Sequence, residues 1–180
     1  MTWETLVKQS LAQTIVAKLD FKQNYFIPLS HWQAINCTGD NAQQFLQGQL
    51  TCDVKQINAQ QASLAATCNQ KGRVFSLFYL GFMNQQYTLI LPQANVENSL
   101  QELHPFAQLS RANLSVADEI VAGILIDAKI IAKEKYSEKK YIIHEINGVF
   151  LINLSTEKPL YLVVGSKHKV ADFVAHLDNK

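Results

Sequence analysis

Charged side chains are scarce in this 180-residue chain, at 17%, and the sixteen basic and fifteen acidic residues leave a formal net charge of only +1. So small an imbalance gives no electrostatic reason to wrap nucleic acid or to coat an anionic membrane. Long apolar runs are missing too. None approaches the roughly 20 residues of a membrane-crossing helix. The opening stretch, Met1 to Leu19, spreads Glu4, Lys8, Gln13 and Lys18 among its apolar residues. It lacks the compact apolar segment and small-residue cleavage site of a secretory signal, and the expected location is cytoplasmic. Cysteines number three, Cys37, Cys52 and Cys68, with no C-x-x-C pair. An odd count at such spacings supports neither a disulfide framework nor a thiolate zinc site. The five histidines never pair as H-x-x-x-H or H-E-x-x-H, so no metal site is expected. Seven glycines and four prolines nowhere gather into a linker.

What is present is a hydrophobic fraction of 48%, ordinary for a folded chain long enough to bury one sizeable core or two small subdomains. Trp3, Leu6, Val7, Leu11, Ile15 and Leu19 recur at helical steps, with Thr2 as the N-cap. Strands are expected at Asn24–Leu29 and Trp32–Thr38. Thr38-Gly39-Asp40 forms a turn, and Asp40 or Asn41 caps a short helix that ends at Gly48. Ala62–Cys68, Val74–Met83 and Tyr87–Leu91 read as a meander, followed by a helix carrying Val96, Leu100 and Leu103. The second half repeats this style. Strands at Ala112–Val116 and Ile120–Ile126 precede a weak helix at Ala128–Lys135. Three more strands follow at Tyr141–Glu145, Val149–Leu154 and Leu160–Val164. Ile146-Asn147-Gly148 signals a hairpin. Ser166 caps a last helix with Val170, Phe173, Val174 and Leu177 on one side. Blocks of strands each ending in a helix, without long βαβ crossovers, predict an α+β fold with antiparallel sheets. The expected division is 1–110 and 111–180.

The most informative residues lie between Leu29 and Val74. They read L-S-H-W, then T-G-D-N-A-Q-Q-F-L-Q-G-Q-L-T-C-D-V, then A-A-T-C-N-Q-K-G-R-V. Taken physically, Gly39 and Gly72 serve turns. Gln47, Gln49, Thr51 and Asp53 either line a polar pocket or cap a helix end and satisfy loop backbone groups. Trp32 is either a stacking surface or a core residue. Lys71 and Arg73 sit on a turn facing solvent or an anion.

In order and spacing these segments resemble the YgfZ branch of the folate-dependent T-protein (GcvT) family, with Q-G-Q-L-T-C-D-V the most specific part. The likeness extends in pattern over nearly the whole chain, matching the N-terminal, folate-binding portion of a typical member. It implies a T-protein-like folate-binding fold of two similar subdomains and tetrahydrofolate or another reduced folate as ligand. Trp32 would stack on the pteridine. Gln47, Gln49, Thr51, Asp53 and Asn69 would complete the site, with Lys71 and Arg73 attracting the glutamate tail. It also implies a role in iron–sulfur enzyme maintenance and tRNA modification, with iron–sulfur client proteins as partners. If apolar surface is left uncovered by the family's missing later part, a homodimer is expected.

Two departures qualify the likeness. True T proteins carry an acidic pair after the glycine turn, for proton transfer at the aminomethyl group. Here Ser76 and Leu77 stand at those positions. The later K-G-C-[YF]-x-G-Q-E signature of the YgfZ branch is absent. The expectation is a non-catalytic folate-binding module. The alternatives are an interaction scaffold and an aminomethyltransferase.

Overall fold

Alternating burial along the strands, with one side of each apolar and packed, is what builds two antiparallel sheets here. The computed structural model describes residues 2, 4, 5, 25–125, 139–156 and 160–178. In chain order the strands are β1 (Tyr25–Pro28), β2 (Trp32–Thr38), β3 (Ser63–Cys68), β4 (Val74–Met83), β5 (Gln86–Pro92), β6 (Asn113–Val116), β7 (Ile120–Leu125), β8 (Ile143–Ile146), β9 (Val149–Asn153) and β10 (Leu160–Gly165). The helices are α1 (Ala42–Gln49), α2 (Val96–Leu109) and α3 (Lys167–Asp178). The expected helices at 3–19 and 128–135 lie outside the described residues, apart from Glu4 and Thr5. Thr5 donates its backbone N–H to the Thr2 hydroxyl at 3.3 Å.

One unit comprises His31–Asp118. Its five strands run in the order β3-β4-β5-β2-β6, each pair antiparallel. The β4–β5 turn places Asn84 and Gln85 at φ of 50° and 62°. That is the left-handed pair a tight hairpin requires. One face of the sheet presents Ile35, Phe78, Leu80, Leu89 and Leu91. They pack with Phe45 and Leu46 of α1 and Leu103 and Ala107 of α2 into one core. Burial of this apolar layer is the main stabilising term. Gly39, at φ 103°, cannot be replaced, because a Cβ there would lie 2.7 Å from the Arg111 carbonyl oxygen. Asn41 makes no side-chain cap bond to α1, contrary to the expected cap.

The second unit lies within 1–30 and 119–180. Its sheet runs β1-β7-β10-β9-β8, again antiparallel. Asn147 and Gly148, at φ of 53° and 73°, make the β8–β9 hairpin. Val170, Phe173, Val174 and Leu177 of α3 close over Ala122, Leu151, Tyr161 and Val163.

The two sheets share a plan. A three-stranded meander, β3-β4-β5 or β8-β9-β10, continues through the strand that precedes it, β2 or β7, to a short edge strand. The partition differs from 1–110 and 111–180 because of the two edge strands. β6 pairs with β2, which holds residues 113–116 in the first unit. β1 pairs with β7, which draws residues 25–28 into the second.

The free thiols are graded by burial. Cys37 is buried, Cys52 half-buried and Cys68 exposed. Desolvation pushes the Cys37 thiol up to about 12 from its usual 9.0. Native protein treated with a thiol reagent at pH 8 is expected to label Cys68 at once and Cys37 only on unfolding. The neutral buried thiol contributes stability that is intact below pH 9 and lost as the pH rises from there towards 12. Unfolding midpoints measured across that alkaline range should therefore fall more steeply than in a Cys37→Ala variant.

Candidate functional site

Trp32 opens β2, and its register partner on β5 is Pro92. Tyr79 of β4 lies opposite Ile90 of the same strand. The two rings therefore meet across β5, with centroids 6.2 Å apart and planes inclined by 23°. Both are half-buried. Strand alternation puts Leu77 beside Tyr79, and Leu64 is the β3 partner of Tyr79. This face, opposite the helix-packed one, leaves Leu77 51% and Leu64 39% exposed. Asn36, on the same side of β2, accepts a hydrogen bond from the Thr88 hydroxyl at 3.0 Å. The result is an apolar surface floored by a stacked aromatic pair.

Ser76 and Leu77 part company. Ser76 points to the helix face, buried, and accepts a hydrogen bond from the Ser99 hydroxyl of α2 at 2.9 Å. Leu77 lies on the Trp32 face.

The segment after α1 is spent largely on its own backbone. Thr51 bonds Ala66 twice: its N–H donates to the Ala66 carbonyl at 3.0 Å and its hydroxyl accepts from the Ala66 N–H at 2.9 Å. Asp53 caps the short 3-10 turn Val54–Gln56, accepting from the Lys55 N–H at 3.2 Å and the Gln56 amide at 3.0 Å. Of the two readings of this segment, backbone capping describes Thr51 and Asp53. The side-chain carbonyl oxygen of Gln47 is buried and has no hydrogen-bond partner among the described residues.

A cleft of about 730 Å³ lies where the β3–β4 hairpin meets the end of α1 and one side of α2. Gln49, Asn69, Lys71 and Arg73 line it, together with Thr67, Phe75, Glu102 and Phe106. Asn69 organises the hairpin turn: its side-chain amide oxygen accepts from the N–H groups of Lys71 and Arg73 at 2.9 and 3.0 Å. Thus four of the eight expected site residues converge here, while Trp32 stands with Tyr79 on the other sheet face. Tyr79, Thr67, Phe75, Glu102 and Phe106 were not anticipated. Alternation within V-F-S-L-F-Y-L-G-F-M could have paired Leu77 with Tyr79. No local signal brings Glu102 or Phe106 to a hairpin thirty residues earlier. Among the described residues, no three His, Cys, Asp or Glu side chains are grouped to hold a metal ion, and no helix is long and apolar enough to cross a membrane.

The solved structure of glycine cleavage system aminomethyltransferase T from Bartonella henselae superposes with a TM-score of 0.71 over 96% of this chain and 48% of that one. At 14% identity this likeness concerns the fold alone, and the fold is that of the T-protein class. No family model matches the chain. Among individual proteins, the tRNA-modifying protein YgfZ of Colwellia psychrerythraea is 32% identical over 150 residues, covering 81% of this chain and 46% of that protein. The YgfZ protein of Vibrio atlanticus is 30% identical over 135 residues, covering 75% and 42%. The chain belongs to the YgfZ/GcvT family. It spans about half the length of the curated relatives it matches.

Proposed function

We propose that this chain is a non-catalytic module that binds tetrahydrofolate or another reduced folate. We place it in the YgfZ-type work of tRNA modification and iron–sulfur enzyme maintenance, with iron–sulfur clients as its protein partners. The observation that supports the reading is the shared sheet face of Trp32, Tyr79 and Leu77. A stacked indole and phenol beside two exposed leucines fit a flat heterocycle, which gains contact area there at little entropic cost. The same face holds Leu77, one of the two positions where the T-protein resemblance places acids. A leucine cannot move a proton, and Ser76 is turned away under α2. The face therefore offers stacking without the proton-transfer group that aminomethyl chemistry needs. Thr51 and Asp53 hold the loop of this proposed site through hydrogen bonds.

The test is calorimetric titration of the purified chain with tetrahydrofolate and with folinic acid. Saturable binding of one ligand per chain is expected. No heat and no protection from thermal unfolding at millimolar folate would leave the chain an interaction scaffold instead.

A further inference from the structure

We infer that the cleft over the β3–β4 hairpin is a second binding site, separate from the folate face, for a small anion carried on a flat apolar body. The cleft is built rather than incidental. Between Thr67 and Cys68 the β3–β4 register shifts: Thr67 pairs with Ser76 and Cys68 with Val74, so Phe75 is the extra residue of a β-bulge. Bulges re-aim side chains, and they gather beside functional sites. Here the bulge ends the regular ladder at the cleft, with Phe75 in its lining.

Thr67 supplies the second observation. The residue lines the cleft and is 1% exposed, and among the described residues its buried hydroxyl has no hydrogen-bond partner. A buried hydroxyl left unpaired is costly, and native chains pair nearly all of theirs. A ligand in the cleft would supply the missing partner.

Charge and shape define the ligand. Lys71, Arg73 and one acid, Glu102, share the lining, and none of the three is in an ion pair among the described residues. The Asn69 side-chain amide oxygen holds the turn that presents both cations, with Gly72 at φ 72°. An arrangement set before binding loses little on meeting an anion. Phe75, Leu103 and the 49%-exposed Phe106 provide the apolar wall. The volume, about 730 Å³, lies in the range of small-molecule sites. The cleft opens on the helix side of the sheet, as the contacts of Thr67's partner Ser76 with Ser99 show. Trp32 and Tyr79 occupy the other side. The two sites are therefore independent.

The experiment uses the full chain, isotopically labelled, with phenyl phosphate as probe and benzyl alcohol as its neutral counterpart. Phenyl phosphate is expected to shift the amide resonances of Thr67, Asn69, Arg73 and Phe106 saturably. It should bind at least about ten-fold more tightly than benzyl alcohol, since hydrogen bonds to charged groups are the stronger kind. Arg73→Gln should erase most of that preference. Thr67→Val should weaken phenyl phosphate several-fold while leaving the melting temperature of the free protein unchanged or higher. Trp32→Ala should leave phenyl phosphate binding intact, and so should saturating tetrahydrofolate, whether or not folate itself binds. Equal affinity for the charged and neutral probes would overturn the inference. So would displacement by tetrahydrofolate, which would make the two sites one. A lowered melting temperature in Thr67→Val would overturn it as well, by showing that the hydroxyl already has a partner within the protein.

Discussion

A Phe78→Ala variant is expected to lose about 3–5 kcal/mol of stability, the usual cost of removing a fully buried aromatic ring. Phe78 is 1% exposed and sits in the middle of β4. Its β3 neighbour is Ala65, too small to fill the vacated space. On the helix side it belongs to the cluster that includes Leu103 and Ala107. The ring therefore leaves both a transfer loss and a cavity. Against a total of roughly 5–15 kcal/mol for a natural domain, that is a large share. Guanidinium unfolding followed by circular dichroism should show a clearly lower midpoint. The neighbouring change Leu77→Ala provides the control. Leu77 faces solvent, so its loss should stay within about 0.5 kcal/mol. Equal effects at the two positions would mean that the assigned faces of β4 are wrong.

Trp32→Ala is expected to weaken tetrahydrofolate binding by about ten-fold or more. Stacking of a heteroaromatic ring on an aromatic side chain is worth roughly 1–3 kcal/mol by analogy with nucleobases, and 1.4 kcal/mol is a factor of ten. Trp32→Phe keeps a ring over Tyr79 and should fall between wild type and the alanine variant. Tyr79→Ala removes only the phenol of the stacked pair and leaves the larger indole, so it should cost less than Trp32→Ala. Ligand quenching of tryptophan emission reports the same event, provided that Trp3 is first replaced by phenylalanine so that a single indole emits. Unchanged affinity in a well-folded Trp32→Ala variant would remove the folate role from this residue and from its face of the sheet.

Much of the local structure is legible without coordinates because it rests on short-range physics. The helical spacing of Val170, Phe173, Val174 and Leu177 is the buried side of α3. The Asn147-Gly148 pair is the β8–β9 hairpin, since those residue types tolerate positive φ. The run Val74–Met83 is β4 from end to end. The motif that announced the family, Q-G-Q-L-T-C-D-V, is also local. Part of what makes it recognisable is structural, for Thr51 and Asp53 are tied to nearby backbone.

The division into units and the make-up of the sites depended on long-range pairing. β1 meets β7, and β6 meets β2, across stretches of about 80 to 100 residues that no periodic pattern records. Alternation says that Ser76 and Leu77 point opposite ways, but only the packing of α2 decides which one is buried. That choice puts Trp32 on one side of the sheet and Asn69, Lys71 and Arg73 with the helices on the other. Neighbours such as Ser76 and Leu77 thus face two different surfaces. Side-chain direction along a strand is local, whereas the partner that covers each face arrives from elsewhere in the chain.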